Sequence, residues 1–323
     1  MDKIITQLKE SRNVLVTSHI NPDGDAIGSL VAMGLALKSY GIKAVLFNES
    51  AIPAVYRFLP GVALITRRYP QKCRFDTAVV LDCGNLDRVG RAAATVSDIP
   101  AVVNIDHHVT NDGFGTRQII DPNACATAEI VYRLVKAMGI EIDQSMATSI
   151  YTGIITDTGS FRFSNTNHAA FAICDEMVKL GVQPYKVAQH VYGTYSLGRI
   201  KLLNLALESI EITRNGNVSM MMLTQQMLNE TGTHPEDADG LINYARRIED
   251  VKMAALIQER SNGGNGAGGE KQFHVSLRSD GSVDVAAIAS GFGGGGHPNA
   301  AGFGIKATLT DVKNKIVQLS ETI

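Results

Sequence analysis

The segment "VTSHINPDGDAIGS" at positions 16–29 decides how the chain is to be read. It continues an apolar run, "NVLVTS" at 13–18, and opens a stretch with helical spacing at Ala26, Leu30, Met33 and Leu37. An apolar strand, a tight turn and a helix, in that order, begin a parallel α/β sheet. The turn holds His19, Asp23 and Asp25, two carboxylates and an imidazole within seven residues. Asp and Asn are also ordinary turn and helix-cap residues, so this segment alone leaves both readings open.

Working outward, "KAVLFN" (43–48), "TAVVLD" (77–82) and "AVVNID" (101–106) read as further buried strands. Helical patterns follow at 127–138, 143–156, 168–180 and 184–192. The second half changes character. Residues 208–213 and 218–223 read as a hairpin turning at "NGN" (215–217), with helices expected near 224–230 and 237–246. Strands at 251–259 and 272–279 are joined by a glycine-rich, mobile loop at 260–271. A short helix at 284–290, the loop "GFGGGGHPNAAGF" (291–303) and a last helix at 310–321 complete the chain. The fold class is α/β: a parallel-sheet catalytic domain at 1–192, a linker at 193–207, and a smaller mixed α+β domain at 208–323.

The bulk numbers exclude several classes. The 323 residues are 45% hydrophobic and 19% charged, ordinary for a globular protein. A net charge of −2 offers no broad basic field for long nucleic acid. No apolar run approaches the roughly 20 residues of a membrane helix, so no membrane partner is expected. The start, "MDKIITQLKESRN", lacks a signal-peptide core, and the four cysteines form no C-x-x-C pair. A cytoplasmic protein with reduced thiols is the expectation. A homodimer is left open.

In open parallel sheets, ligands bind beyond the carboxyl ends of the strands. His19, Asp23 and Asp25 follow the first strand, Asp82 ends the third, and Asp106, His107 and His108 end the fourth. Asp157 closes an apolar helical stretch, "TGIITDTGSFRF", that can reach the same edge. Aspartates gathered so closely repel one another and raise each other's pKa values. Two divalent cations balance the charge of Asp23, Asp25, Asp82 and Asp157. Carboxylates and imidazoles without thiolates suit manganese, with magnesium, iron or zinc less favoured. Paired ions of this kind clamp an in-line displacement at phosphorus.

"SHINPDGDAIGS", "LDCG", "NIDHH" and "GIITDTGSFRF" resemble, in order and spacing, the four motifs of the DHH phosphoesterases. "GFGGGGHPNAAGF" resembles the glycine-rich signature of the DHHA1 domain that follows in many members. At this length the nearest group is the nanoRNase A type, oligoribonucleases that also act on pAp. The resemblance implies a role for each matching residue. His19 and Asp23 would hold one manganese ion, Asp25, His107 and Asp157 the second, and Asp82 would bridge them. Asp106 would orient an imidazole, and His108 would face the scissile phosphate. Cys83 departs from many relatives, which carry a small hydroxyl residue or alanine there. A strand neighbour of Asp82 is expected to point away from it.

In the second half, Gly293, Gly294, Gly295 and Gly296 could converge their N–H groups on an anion, with His297 adding a donor. A plain flexible loop is the competing reading. Arg278 in "VSLRSDG" could grip a phosphate, and Ser276 alternates with it on the same strand face. The function expected is a manganese-dependent phosphoesterase that hydrolyses very short RNA and removes the 3′-phosphate of pAp. Hydrolysis of pApA or cyclic di-AMP, a RecJ-like single-strand exonuclease, and a nucleotide-binding regulator without turnover are the alternatives.

Overall fold

The computed structural model describes residues 1–193, 195–260 and 270–323. They form two compact units, Met1–Thr194 and Tyr195–Ile323.

The first unit contains α1 (Asp2–Glu10), β1 (Asn13–Ser18), α2 (Gly24–Ser39), β2 (Lys43–Phe47), β3 (Ile65–Thr66), β4 (Thr77–Leu81), α3 (Ala93–Ser97), β5 (Ala101–Asp106) and β6 (Arg117–Ile120). Helices α4 (Thr127–Ala137), α5 (Gln144–Asp157), α6 (His168–Lys179) and α7 (Pro184–Tyr192) follow. The six strands form one sheet in the order β3-β2-β1-β4-β5-β6, and each neighbouring pair is parallel. The order reverses between β1 and β4, which makes their carboxyl ends the expected ligand crevice.

Both sheet faces are covered, so the central strands are apolar throughout rather than alternating. Val14, Val16, Val79, Leu81 and Ile105 face the core beneath α2, α4, α5 and α6. Leu15, Ala78, Val80 and Val102 face a smaller core with Val96 of α3. β3 and β6 carry no apolar run, only two residues in one case and a half-exposed "RQII" in the other, and their strand character comes from edge pairing. Helix α1, also absent from the sequence reading, buries only Ile4 and Leu8, four residues apart on one face.

Helices α2 and α5 lie unusually close. Gly24 sits against the Thr156 side chain, Gly28 against the Ser149 carbonyl and Gly153, and Gly153 against Ala128 and Asp25. The pairing runs antiparallel, because residue 24 meets 156 and residue 28 meets 149–153. This brings the carboxyl end of α5 over the amino end of α2.

The second unit contains α8 (Leu197–Glu208), β7 (Glu211–Ile212), β8 (Val218–Leu223), α9 (Gln225–Thr231), α10 (Ile242–Arg246), β9 (Met253–Glu259), β10 (Lys271–Ser279), α11 (Val285–Ser290), β11 (Gly295–His297), β12 (Ala300–Ala307) and α12 (Leu309–Ser320). Its sheet runs β11-β12-β10-β9-β8-β7 and is mixed, with β8 and β9 parallel and the other pairs antiparallel. One face packs on α11 and α12 through Met220, Ala255, Val275 and Phe303. The other packs on α8–α10 through Met221, Leu223, Ala254 and Leu256.

Two stretches differ from expectation, and a third cannot be compared. The linker expected at 193–207 contains most of helix α8, whose Leu202 and Ala206 are buried in the second unit. The loop expected at 291–303 contains β11 and the start of β12. Residues 261–269 of the loop expected to be mobile lie outside the described residues.

Gly28→Ala would push a methyl group into the Ser149 carbonyl, which belongs to backbone and cannot swing away. Overpacking of this kind costs about 1–3 kcal/mol. Urea unfolding should show a correspondingly lower midpoint with an unchanged slope; an unchanged midpoint would contradict the close α2–α5 approach.

Candidate metal centre

The sequence-predicted residues of the first unit meet at the carboxyl ends of β1, β4 and β5. His19 follows β1 and is 4% exposed. Its Nδ1–H donates to the Ile20 carbonyl at 2.9 Å, which turns Nε2 toward Asp82 Oδ2 at 3.4 Å and Asp23 Oδ1 at 3.9 Å. Asp23 is the N-cap of α2, accepting from Ala26 N at 3.0 Å, so the turn-and-cap reading and the cluster reading are both true of it.

Asp25 lies in the first turn of α2 and is buried. Its Oδ2 accepts from Thr127 N at 2.6 Å, and its Oδ1 accepts from Ala128 N at 2.9 Å and Ser29 Oγ at 3.1 Å. Helix α4 thus points its N-terminal N–H groups at a carboxylate, as the helix dipole favours.

Asp82 is central. It leaves β4 in the left-handed region, φ 59°, a conformation that Asp tolerates better than most residues. Its Oδ2 faces His19, while its Oδ1 accepts from Thr127 Oγ1 at 2.9 Å and lies 3.7 Å from both His107 Nε2 and His108 Nδ1. Three triads of ligand-type atoms form in this unit: His19–Asp23–Asp82, Asp25–Asp82–His107 and Asp82–Asp106–His108. Asp82 belongs to each.

His107 is buried, with its Nδ1–H donated to the Ala124 carbonyl at 3.3 Å. Its Nε2 lies 3.6 Å from Asp157 Oδ2 and 3.9 Å from Asp25 Oδ2. Asp157, the last residue of α5, is partly exposed and accepts from Asn165 Nδ2 at 2.9 Å. His108 donates Nδ1–H to Asp106 Oδ1 at 2.7 Å, and Asn111 donates to Asp106 Oδ2 at 2.6 Å.

The electrostatics are those of acids forced together. Burial, then the charges of Asp82 and Asp157, push Asp25 well above the usual carboxylate range. Burial, with Asp23 and Asp82 adding to it, pushes Asp157 up to about 6. Burial alone would lower His107, but Asp157, Asp82 and Asp25 outweigh it and raise it to about 9. Burial also works against the Asp82 carboxylate, yet His19, His108 and His107 hold it far below its ordinary value.

These residues fit divalent cations. The donors are carboxylate oxygens and imidazole nitrogens, with no thiolate. The carbonyls on Nδ1 of His19 and His107 fix the tautomer that presents an Nε2 lone pair to the pocket. The 3.4–3.9 Å separations between these Nε2 atoms and the carboxylates exceed good hydrogen-bond lengths. They match two donors that share one ion at about 2.0–2.2 Å each.

Cys83 lies in the opposite core with Leu15, Phe47 and Val80, and burial raises its thiol well above the ordinary range. Glu129 accepts from Cys125 N at 2.8 Å and Asn167 Nδ2 at 3.2 Å, bracing the loop before α4. Asn111, Asn165 and Thr127 carry no mark in the sequence as partners of Asp106, Asp157 and Asp82.

The remaining predicted residues belong to the second unit. Arg278 and Ser276 alternate on β10, on the half-exposed face of the strand. Register places Arg278, Ala300 and His297 in one row and Ser276, Gly302 and Gly295 in the next. Rows of this kind share a face across antiparallel strands. Of the four glycines expected to turn N–H groups toward an anion, two use theirs within the chain. Gly293 N–H donates to the Ser290 carbonyl and Gly294 N–H to the Ala289 carbonyl, closing the end of α11. Gly295 and Gly296 are strand residues paired with Gly302 and Ala301. A side chain at Gly294 or Gly296 would strike the backbone of β12, so close strand approach is what these two glycines permit.

The DHH family N-terminal domain matches residues 13–154, and the DHHA1 domain matches residues 217–323. The bifunctional oligoribonuclease and PAP phosphatase NrnA of Thermus thermophilus is 31% identical over 298 residues, which cover 92% of this chain and 86% of that protein. The probable bifunctional oligoribonuclease and PAP phosphatase NrnA of Streptococcus mutans is 24% identical, over 93% of this chain and 91% of that protein. Among solved structures, an exopolyphosphatase-related protein from Bacteroides fragilis matches with a TM-score of 0.88 at 27% identity, covering 99% of this chain and 95% of that one. Strand order, the converging acid cluster and these likenesses agree: the chain belongs to the DHH phosphoesterase family, with a DHHA1 domain after its DHH domain.

Proposed function

We propose that this chain hydrolyses very short RNA oligonucleotides to mononucleotides and removes the 3′-phosphate of pAp, using two manganese ions. The observation that carries the reading is the placement of Asp82, whose two oxygens face different histidines, His19 on one side and His107 on the other. A carboxylate so placed suits a bridge between two ions. His19 and Asp23 would complete one site, and Asp25, His107 and Asp157 the other. Two divalent cations held there supply charge neutralisation at phosphorus and make water a usable nucleophile near neutral pH.

The chain's own residues do the rest. Asp106, fixed by Asn111, holds His108 through Nδ1 and so sets the orientation of its ring. From there His108 binds a phosphoryl oxygen or gives a proton to the leaving oxygen. In the second unit Arg278, Ser276 and His297 share one sheet face and would bind an anionic group. The names of the NrnA relatives support the same substrates. Among the described residues, no helix is long and apolar enough to cross a membrane.

Rates compared side by side on pAp, pApA, RNA of two to five nucleotides, long single-stranded DNA and pyrophosphate test the substrate class. Short RNA and pAp should be turned over fastest. Asp82→Ala should abolish turnover on every substrate, whereas Arg278→Ala should mainly raise KM. Near-normal activity of Asp82→Ala with manganese would refute the bridge.

Metal-free protein offers a second check. Asp157 titrates at about 6 against an ordinary 3.8, so between those values the folded chain holds more protons than the unfolded one. Its contribution to stability therefore falls as pH rises through that window. In chelator-treated buffer, Asp157→Asn should melt higher than the unsubstituted protein at pH 7, with the gap closing toward pH 4. Added manganese should reverse the order. Equal melting temperatures at pH 7 without metal would contradict the repulsion described above.

A further inference from the structure

Helix α4 begins without a cap of its own. Its N-cap residue is Ala126, which offers no side-chain acceptor. The first N–H groups of the helix, on Thr127 and Ala128, are satisfied instead by Asp25, about 100 residues earlier in the chain. A threonine at a helix start commonly turns its hydroxyl to the local backbone. The Thr127 hydroxyl donates to Asp82 Oδ1 at 2.9 Å, and the residue is fully buried. One residue thus grips two carboxylates, Asp25 through its backbone and Asp82 through its side chain.

We infer that Thr127 is a positioning residue that sets the rotation of the Asp82 carboxylate and so couples the two halves of the metal centre. The inference rests on the two-ion reading above. A carboxylate pivots about its terminal torsion with little resistance. Asp82 turns Oδ2 toward His19 and Oδ1 toward His107, the rotation in which it could serve an ion on either side. The Thr127 hydroxyl occupies one lone-pair direction of Oδ1 and leaves the other for the pocket shared with Asp25 and His107. It also locks the spacing of Asp25 and Asp82, because both are bonded to the same residue. Without the hydroxyl, Asp82 can turn both oxygens toward the His19 side. The ion on the Asp25 side then loses a ligand, while the other keeps its set.

The test is a manganese titration of the apo protein by calorimetry, with electron paramagnetic resonance of the two-equivalent sample. Three chains are compared: the unsubstituted protein, Thr127→Val, which keeps the shape, and Thr127→Ser, which keeps the hydroxyl. The unsubstituted chain should bind two equivalents and show a spin-coupled pair. Thr127→Val should bind one equivalent nearly as well but the second about 10–100-fold more weakly, the usual effect of removing a partner that orients a ligand. Its spectrum should be dominated by isolated manganese. Thr127→Ser should restore both readouts. Should the valine variant fail to fold by circular dichroism, Thr127→Ala carries the same comparison.

Two tight, coupled ions in Thr127→Val would overturn the inference and leave the two-ion reading standing. So would a serine variant as defective as the valine one. Fewer than two ions on the unsubstituted protein would sink the two-ion reading, and this inference with it.

Discussion

The mutual repulsion of buried carboxylates governs the first unit. Asp25, Asp82 and Asp106 are nearly inaccessible to water, and Asp157 and Asp23 border them. An acid in such a place must find donors, take up a proton or meet a cation. The fold supplies donors from every side. The N-terminus of α4 serves Asp25, Thr127 serves Asp82, Asn111 and His108 serve Asp106, and Asn165 serves Asp157. These bonds cover only part of each carboxylate. The oxygens that face the two Nε2 atoms are left to a positive charge, and this arrangement favours metal over a purely structural polar network.

Much of this could be seen before any coordinates. β1, β4 and β5 are apolar on both faces because helices cover both sides, and continuous apolar runs are the plainest strand signal in a sequence. Polar residues at the ends of such runs must lie at a sheet edge, which gathered His19, Asp82 and the Asp106–His108 segment. The donors were hidden for a different reason. Thr127 and Asp25 are about 100 positions apart, and nothing local marks an asparagine such as Asn111 as the partner of an acid. Long-range polar pairing is a property of tertiary structure, and single-residue types carry little trace of it.

The glycine-rich stretch hides its strands for a related reason. Glycine weakens strand propensity and favours loops, so "GFGGGGHPNAAGF" reads as a loop with free N–H groups. In the fold, β12 needs those glycines because β11 and the turn after α11 press against its backbone. The N–H groups of Gly293 and Gly294 close the end of α11, and Gly295 and Gly296 lie in the edge strand β11. The side chains of Arg278, Ser276 and His297 stand on one face of the same sheet.

The glycine contact between α2 and α5 reaches beyond packing. Sliding one helix past another by a turn moves each residue about 5.4 Å, enough to carry Asp157 out of reach of His107. Gly24 and Gly28 meet the Thr156 side chain and the backbone of Ser149 and Gly153, and Gly153 meets Asp25, all closer than an added side chain would allow. The distance from Asp157 to the rest of the cluster is therefore tied to the close seating of these two helices. An acid at the end of a long helix gains in this way a firm seat of the kind usually associated with residues rooted in the sheet.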